Sequence, residues 1–174
     1  GEVCQWIEAA HAAGLKVMLK PILEPLDGIW RGHIMPPGDA QSVYARLRPA
    51  VDNHSRWTKS FQAALCHYAD LAAGAGAECL SLGQEYLGLE PRNDIWEEVI
   101  PSVRARYDGL LTYEFTPPNV LTRKVHPHIG AWWKYLDFLG YSFYGANMDP
   151  DAPLEDLLAG LAPRRDEAAA LTEE

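Results

Sequence analysis

Two spacings of apolar residues alternate along this chain, and each is typical of a different element. Helical spacing predicts four amphipathic helices, which lie within residues 3–10, 57–71, 95–103 and 154–161. Short apolar runs predict strands at 15–20, 78–82, 110–115 and 138–144, with a fifth strand beginning at 168–172. Gly14 and Gly76 stand where the first two helices should end.

Alternating strands and helices predict a parallel sheet built from βα units. An eight-stranded barrel and an open doubly wound sheet both satisfy that alternation. No G-x-G-x-x-G or Walker pattern follows any predicted strand, which disfavours a nucleotide-binding open sheet. Polar and aromatic residues gather just after the strand ends, where barrel enzymes build their active sites. The sequence therefore favours an α/β fold of the (β/α)8, or TIM-barrel, class.

Glu85 is the sharpest candidate for chemistry. It follows an apolar strand directly, with Gly83 and Gln84 before it and Tyr86 after it. A carboxylate in that position points into the mouth of a barrel, and glycoside hydrolysis needs two such groups. Glu173 is the second candidate, about three βα units further on. The alternative reading of Glu85 as a capping or salt-bridged carboxylate has equal weight on local sequence alone.

Three other carboxylates are weaker candidates. Glu24 and Asp27 follow the first predicted strand, where we expect them mainly to solvate a loop. Glu114 lies inside a predicted strand and could face either the barrel mouth or a neighbouring element.

Aromatic residues offer possible sugar contacts. Trp30, in the long segment after the first strand, could stack on a sugar ring. Tyr144 ends a predicted strand and could hydrogen-bond a catalytic carboxylate, although a place in the core is as good an interpretation. Trp132 and Trp133 are adjacent, so we expect one of them to line a cleft.

Composition and motifs exclude several function classes. The 174 residues carry a formal net charge of −9, which argues against nucleic-acid binding, and no apolar run is long enough to span a membrane. Cys4, Cys66 and Cys79 are expected to be buried free thiols. His126 and His128 lack the spacing of a metal site, so neither a metal nor another cofactor is expected. No G-x-S-x-G elbow is present.

The chain has no initiator Met, and it stops at Glu174 without a tail. We expect it to be an excerpt of a longer protein. Compartment and oligomeric state are therefore not predicted.

Six segments, in order, resemble glycoside hydrolase family 113, the retaining β-mannanases with (β/α)8 barrels. They are AHAAGLKVMLKP (10–21), WRGHI (30–34), GAECLSLGQEY (76–86), LLTYEF (110–115), LDFLGYSFYG (136–145) and LTEE (171–174). The resemblance covers essentially the whole chain. It implies a partial catalytic domain over residues 1–174, running from the helix before strand three to the start of strand seven. Such a chain lacks the first two strands and the last.

The resemblance also implies roles for five residues. Glu85 matches the acid/base and Glu173 the nucleophile of a double-displacement reaction on β-1,4-mannan or a related β-glycan. Lys20, Trp30 and Tyr144 match residues around the bound sugar. The expected partner is thus an oligo- or polysaccharide.

Three places around the expected cleft differ from the family's usual residues, namely Ile22, Gln84 and Thr116-Pro117. These differences keep open a non-catalytic, carbohydrate-binding barrel as the alternative function. An unclosed barrel also exposes sheet edges, so we predict that the isolated 174 residues are inactive and fold poorly.

Overall fold

The structure, a computed structural model, describes residues 1–26, 28–34, 54–115, 131–142 and 151–170. Its helices are α1 (Glu2–Ala12), α2 (His54–Ala75), α3 (Asn93–Arg104) and α4 (Leu154–Ala170). Its strands are β1 (Met18–Leu19), β2 (Cys79–Gln84), β3 (Leu110–Phe115) and β4 (Gly140–Tyr141). Short 3-10 turns occupy Arg31–His33 and Ala131–Tyr135.

The four strands form one parallel sheet in the order β1-β2-β3-β4. Met18 pairs with Cys79 at one junction, and Phe115 pairs with Tyr141 at another. Four of the predicted strands are thereby confirmed, although β1 and β4 are only two residues long. The expected strand beginning at 168–172 is wrong over 168–170, because these residues continue α4. Three consecutive alanines have the highest helix propensity, and extending an existing helix avoids a new nucleation step. Residues 171–172 lie outside the described residues.

The two faces of the sheet have different surroundings. One face is buried under the helices and contributes Leu80, Leu82, Leu111, Tyr113 and Phe115 to the main core. The opposite face lines a cavity of about 220 Å³. Its lining combines the polar side chains of Lys20, Ser81, Thr112 and Glu114 with Gly140 and the apolar side chains of Met18 and Phe138. In a closed barrel this second face is the interior.

Aromatic side chains fill the core between β3, α3 and the second 3-10 turn. Trp96 and Trp132 stack with ring centroids 4.4 Å apart, and Phe115 contacts Trp133 at 4.5 Å. Trp132 and Trp133 are both buried, so the expectation that one of them lines a cleft is wrong. A 3-10 turn directs the two neighbouring side chains differently, yet both reach the same core.

No helix among the described residues is long and apolar enough to cross a membrane. Within the same residues, no group of three or more His, Cys, Asp or Glu side chains could hold a metal ion. Cys66 and Cys79 are buried free thiols, as predicted, whereas Cys4 is free but only half-buried on α1.

Candidate active site

Polar side chains meet at the carboxyl edge of the sheet. Lys20 directly follows β1, Glu85 directly follows β2, Glu114 is the penultimate residue of β3, and Ser142 directly follows β4. The carboxyl ends of parallel strands share one edge, so four positions far apart in the sequence are brought together. The sequence pattern places polar residues there because this edge opens to solvent while the strands themselves are buried.

Glu85 has an unusual backbone conformation. Its φ is +56°, in the left-handed region that non-glycine residues seldom adopt, and the residue is only 4% exposed. Its backbone N–H donates to the carbonyl of Glu114 at 2.9 Å. A bulge precedes it, because Ser81 and Gln84 of β2 pair with Thr112 and Glu114 of β3. The extra residue of β2 re-aims the chain just before Glu85.

The guanidinium of Arg31 bridges two carboxylates. Nη1 lies 3.3 Å from Oε2 of Glu85, and Nε donates to Oε1 of Glu24 at 2.7 Å. Nη2 also donates to Glu24. Burial of the charged guanidinium would lower the pKa of Arg31. The hydrogen bonds and charge of Glu24, together with the charge of Glu85, outweigh burial and raise that pKa above its usual value. Arg31 thus remains a fixed positive charge beside Glu85.

A second ion pair lies on the interior face of the sheet. Nζ of Lys20 donates to Oε2 of Glu114 at 2.5 Å, and the Ser142 hydroxyl donates to Oε1 at 2.8 Å. Burial alone would raise the pKa of Glu114. The hydrogen bonds from Lys20 and Ser142, together with the charges of Lys20 and Arg31, outweigh burial and lower it. Glu114 is therefore an ionised anchor that holds Lys20 in place.

Trp30 lies across the neighbouring turn. A Cβ added to Gly32 would stand 2.2 Å from its ring, so the indole covers that glycine. The indole also makes an edge contact with His33, with ring centroids 5.5 Å apart. The side chain is 43% exposed, which leaves an aromatic surface open to solvent.

A buried network lies behind Glu85. The Tyr86 N–H donates to the Tyr113 hydroxyl at 2.7 Å, and Tyr113 contacts Oε1 of Glu90 at 3.0 Å. Burial, with a smaller contribution from the charge of Glu85, raises the pKa of Glu90 to about 8, although the hydrogen bond to Tyr113 opposes that rise. Burial also raises the pKa of Tyr113 well above 10. Neutral Glu90 and neutral Tyr113 can thus share a hydrogen bond near neutral pH.

Comparison with known proteins places this arrangement in a family. The sequence matches the model of Glycoside Hydrolase Family 113 over residues 1–163. The chain belongs to glycoside hydrolase family 113. No curated protein matches it significantly.

Solved family 113 structures share the fold. The β-mannanase AaManA from Alicyclobacillus acidocaldarius, solved in complex with ManMIm, is 31% identical with a TM-score of 0.70. That match covers 97% of this chain and 47% of AaManA. Another structure, a β-1,4-mannanase, is 30% identical with a TM-score of 0.70, over 93% of this chain and 48% of the other. The chain spans about half the length of these relatives and is an incomplete (β/α)8 barrel.

Within this family 113 chain, three of the five expected site residues lie in the described part. Glu85 and Lys20 flank Glu114 at the carboxyl edge, and Trp30 stands next to Arg31 in the following turn. Glu173 and Tyr144 lie outside the described residues, so their roles stay predictions.

Sequence reasoning missed several members of the site. Arg31 lies inside the WRGHI segment, for which the sequence predicts a sugar contact only at Trp30. Glu24, expected mainly to solvate a loop, is ion-paired with Arg31. Asp27 lies outside the described residues. Glu114, whose side chain the sequence allowed to face either the barrel mouth or a neighbouring element, lines the interior cavity. The available sequence signal for Arg31 was its position beside Trp30 in the long segment after the first predicted strand.

Proposed function

We propose that this chain carries the catalytic carboxylates of a retaining glycoside hydrolase that cleaves β-1,4-mannan or a related β-glycan. The supporting observation is the position of Glu85, a buried carboxylate directly after β2 whose oxygen contacts the Arg31 guanidinium. Membership of family 113 supports the substrate class, as does the fact that two solved relatives are β-mannanases.

In the proposed reaction Glu85 protonates the glycosidic oxygen while Glu173 attacks the anomeric carbon. The C–O bond to the leaving sugar breaks, and a covalent glycosyl ester forms on Glu173. Glu85, now ionised, then takes a proton from water. The oxygen of that water molecule attacks the anomeric carbon, and the ester bond breaks to restore Glu173. This route requires the two carboxyl groups about 5–5.5 Å apart.

Arg31 supports the second half of this cycle. After Glu85 has lost its proton, a guanidinium 3.3 Å from Oε2 stabilises the carboxylate that must act as a base. Glu24 holds the same guanidinium and so limits how much positive charge acts on Glu85.

Lys20, Trp30 and Tyr144 complete the proposal as substrate contacts. Lys20 is fixed by Glu114 on the wall of the interior cavity, where a spare N–H can donate to a sugar hydroxyl. Trp30 offers an exposed ring of the kind that stacks on the apolar face of a sugar. Tyr144 is proposed to hydrogen-bond the nucleophile, as the resemblance to the family implies.

The test uses the complete enzyme and a Glu85→Ala variant. We expect hydrolysis of β-mannan to fall by about 100-fold or more, since a positioned acid contributes on that order. An aryl β-mannoside with a good leaving group should still form the glycosyl-enzyme. Added azide should then restore turnover and yield the β-configured mannosyl azide.

Glu97→Ala is the matched control, because Glu97 is an exposed residue of α3. It should behave like the parent. Parental hydrolysis of β-mannan by Glu85→Ala would refute the acid role. Binding of manno-oligosaccharides by the parent without any turnover would instead establish the non-catalytic barrel.

A further inference from the structure

The two peptide units that flank Glu85 are each fixed to β3 by one hydrogen bond. The N–H of Glu85 donates to the carbonyl of Glu114 at 2.9 Å, and the N–H of Tyr86 donates to the hydroxyl of Tyr113 at 2.7 Å. A left-handed residue persists only where its surroundings hold it. Tyr113 supplies one of these two bonds through its side chain, whereas the other comes from a backbone carbonyl.

Donor chemistry sets the direction of this network. A backbone amide can only donate, so the Tyr113 oxygen must accept from Tyr86. The single hydroxyl proton of Tyr113 is then free for Oε1 of Glu90, 3.0 Å away. Glu90 therefore orients the hydroxyl so that its lone pair faces the Tyr86 amide.

Glu90 is itself held firmly. Its N–H donates to the carbonyl of Tyr86 at 3.0 Å, and its own carbonyl accepts from Nε1 of Trp132 at 3.0 Å. The residue is 1% exposed, and its Oε2 has no hydrogen-bond partner within the part of the chain that the structure describes. Tyr86, Tyr113 and Glu90 thus form a closed ring of hydrogen bonds directly behind Glu85.

We propose that Tyr113, oriented by Glu90, is a positioning residue for the general acid Glu85. It fixes the Glu85–Tyr86 peptide, and that peptide sets the direction of the Glu85 side chain. This inference rests on the proposed acid role of Glu85. Misplacement of a catalytic group by about 1 Å reduces rates by roughly 100-fold, so one lost anchor is sufficient to slow the acid-dependent step.

The network also fits the charge of the site. A second ionised carboxylate behind Glu85 would repel negative charge on it. A protonated Glu90 still accepts the Tyr113 hydrogen bond through its carbonyl oxygen and adds no charge. The ring can therefore orient Glu85 through geometry without adding negative charge beside it.

The test compares two substrates in the complete enzyme with Tyr113→Phe. One is a manno-oligosaccharide, whose leaving group needs protonation, and the other is 2,4-dinitrophenyl β-mannoside, whose leaving group does not. We expect kcat/KM to fall about tenfold or more on the oligosaccharide and less than about twofold on the dinitrophenyl glycoside. The ratio of the two values does not depend on how much of the variant is folded.

Tyr107→Phe is the matched control. Tyr107 is also a buried tyrosine whose hydroxyl donates to a backbone carbonyl, that of Ala77 at 2.7 Å. Ala77 precedes β2, so this hydrogen bond lies at the other end of the strand from Glu85. This variant should change both substrates equally. Equal losses on both substrates for Tyr113→Phe would show a purely structural role and overturn the proposal, as would parental values on both.

Variants of Glu90 test its part in the ring. Glu90→Gln keeps an acceptor for the Tyr113 hydroxyl and should retain the parental substrate ratio, whereas Glu90→Leu should reproduce the ratio of Tyr113→Phe. Parental ratios in Glu90→Leu would remove Glu90 from the proposal.

Glu85→Gln distinguishes failure of the proposed function from failure of the positioning inference. If Glu85→Gln shows no dependence on the leaving group, the proposed function itself fails. If Glu85→Gln shows that dependence and Tyr113→Phe does not, only the positioning inference fails.

Discussion

Arg31 places Nη1 3.3 Å from Oε2 of Glu85 while its Nε donates to Glu24 at 2.7 Å. One cation is thus divided between a buried carboxylate and an exposed one. The division matters because the hydrogen bonds to Glu24 hold the guanidinium in place beside Glu85. The contribution of Arg31 should therefore be visible in the rate of catalysis.

Arg31→Gln should lower kcat on a manno-oligosaccharide by about tenfold or more, because it removes the positive charge that contacts the Glu85 carboxylate and holds it in position. Glu24→Gln should lower kcat less, because it leaves the contact between Arg31 and Glu85 in place. Steady-state hydrolysis by the complete enzyme measures both values, and Glu97→Gln should match the parent. Equal losses in Glu24→Gln and Arg31→Gln would contradict this account.

Lys20 and Glu114 should behave as one unit. Removing either partner leaves a partly buried charge without its ion pair, so Lys20→Met and Glu114→Gln should each lower the free energy of unfolding by about 1–2 kcal/mol. The double variant should lose clearly less than the sum of the two. Denaturant unfolding of the complete enzyme measures all three values. Strict additivity would mean that the 2.5 Å contact contributes no coupling.

The sequence pattern was sufficient for the sheet and for the position of Glu85 directly after β2. Strands of a parallel sheet are buried on both faces, so they appear as apolar runs, and a carboxylate directly after such a run stands out. The same criterion failed at 168–170, since alanines are apolar without favouring a strand. Apolar content alone does not distinguish a buried strand from the end of a helix.

The rest of the site depends on contacts that no local pattern contains. Arg31 meets Glu85 across 54 residues of sequence, and Lys20 meets Glu114 across 94. Glu90 stands between Leu89 and Pro91 and looks like a solvated loop residue, but it is buried against Tyr113. Its burial is decided by tertiary packing of the surrounding aromatic rings.

Gly83→Ala should displace Glu85, which lies two residues further along the chain. Gly83 has a φ of +150°, and a Cβ there would lie 2.2 Å from Cε2 of Tyr86. Either the ring or the backbone must move, which we expect to reduce the free energy of unfolding by about 2–3 kcal/mol and kcat/KM by about tenfold or more.

Gly74→Ala is the control, because an added Cβ there meets nothing within 4 Å inside α2. It should stabilise the protein by up to about 1 kcal/mol. Parental activity in Gly83→Ala would show that Tyr86 is free to shift without moving Glu85.

Glu90 should make the stability of the protein depend on pH in a recognisable interval. Burial raises its pKa from 4.5 to about 8 in the folded state. Between those values the folded protein binds a proton that the unfolded chain has lost. The free energy of unfolding therefore falls as pH rises from about 4.5 to 8, and this contribution levels off above that range.

Glu90→Gln cannot ionise and should remove this fall. Relative to the parent, the variant should gain stability as pH rises from 5 to 8.5, by at most about 5 kcal/mol, the limit set by the size of the pKa change. Denaturant unfolding at pH 5, 6.5 and 8.5 measures the difference. Glu97→Gln, with an exposed side chain on α3, should keep the parental pH dependence. If the Glu90→Gln and parental curves run parallel over this interval, Glu90 ionises in the folded protein as it does in the unfolded chain, and its burial carries no electrostatic penalty.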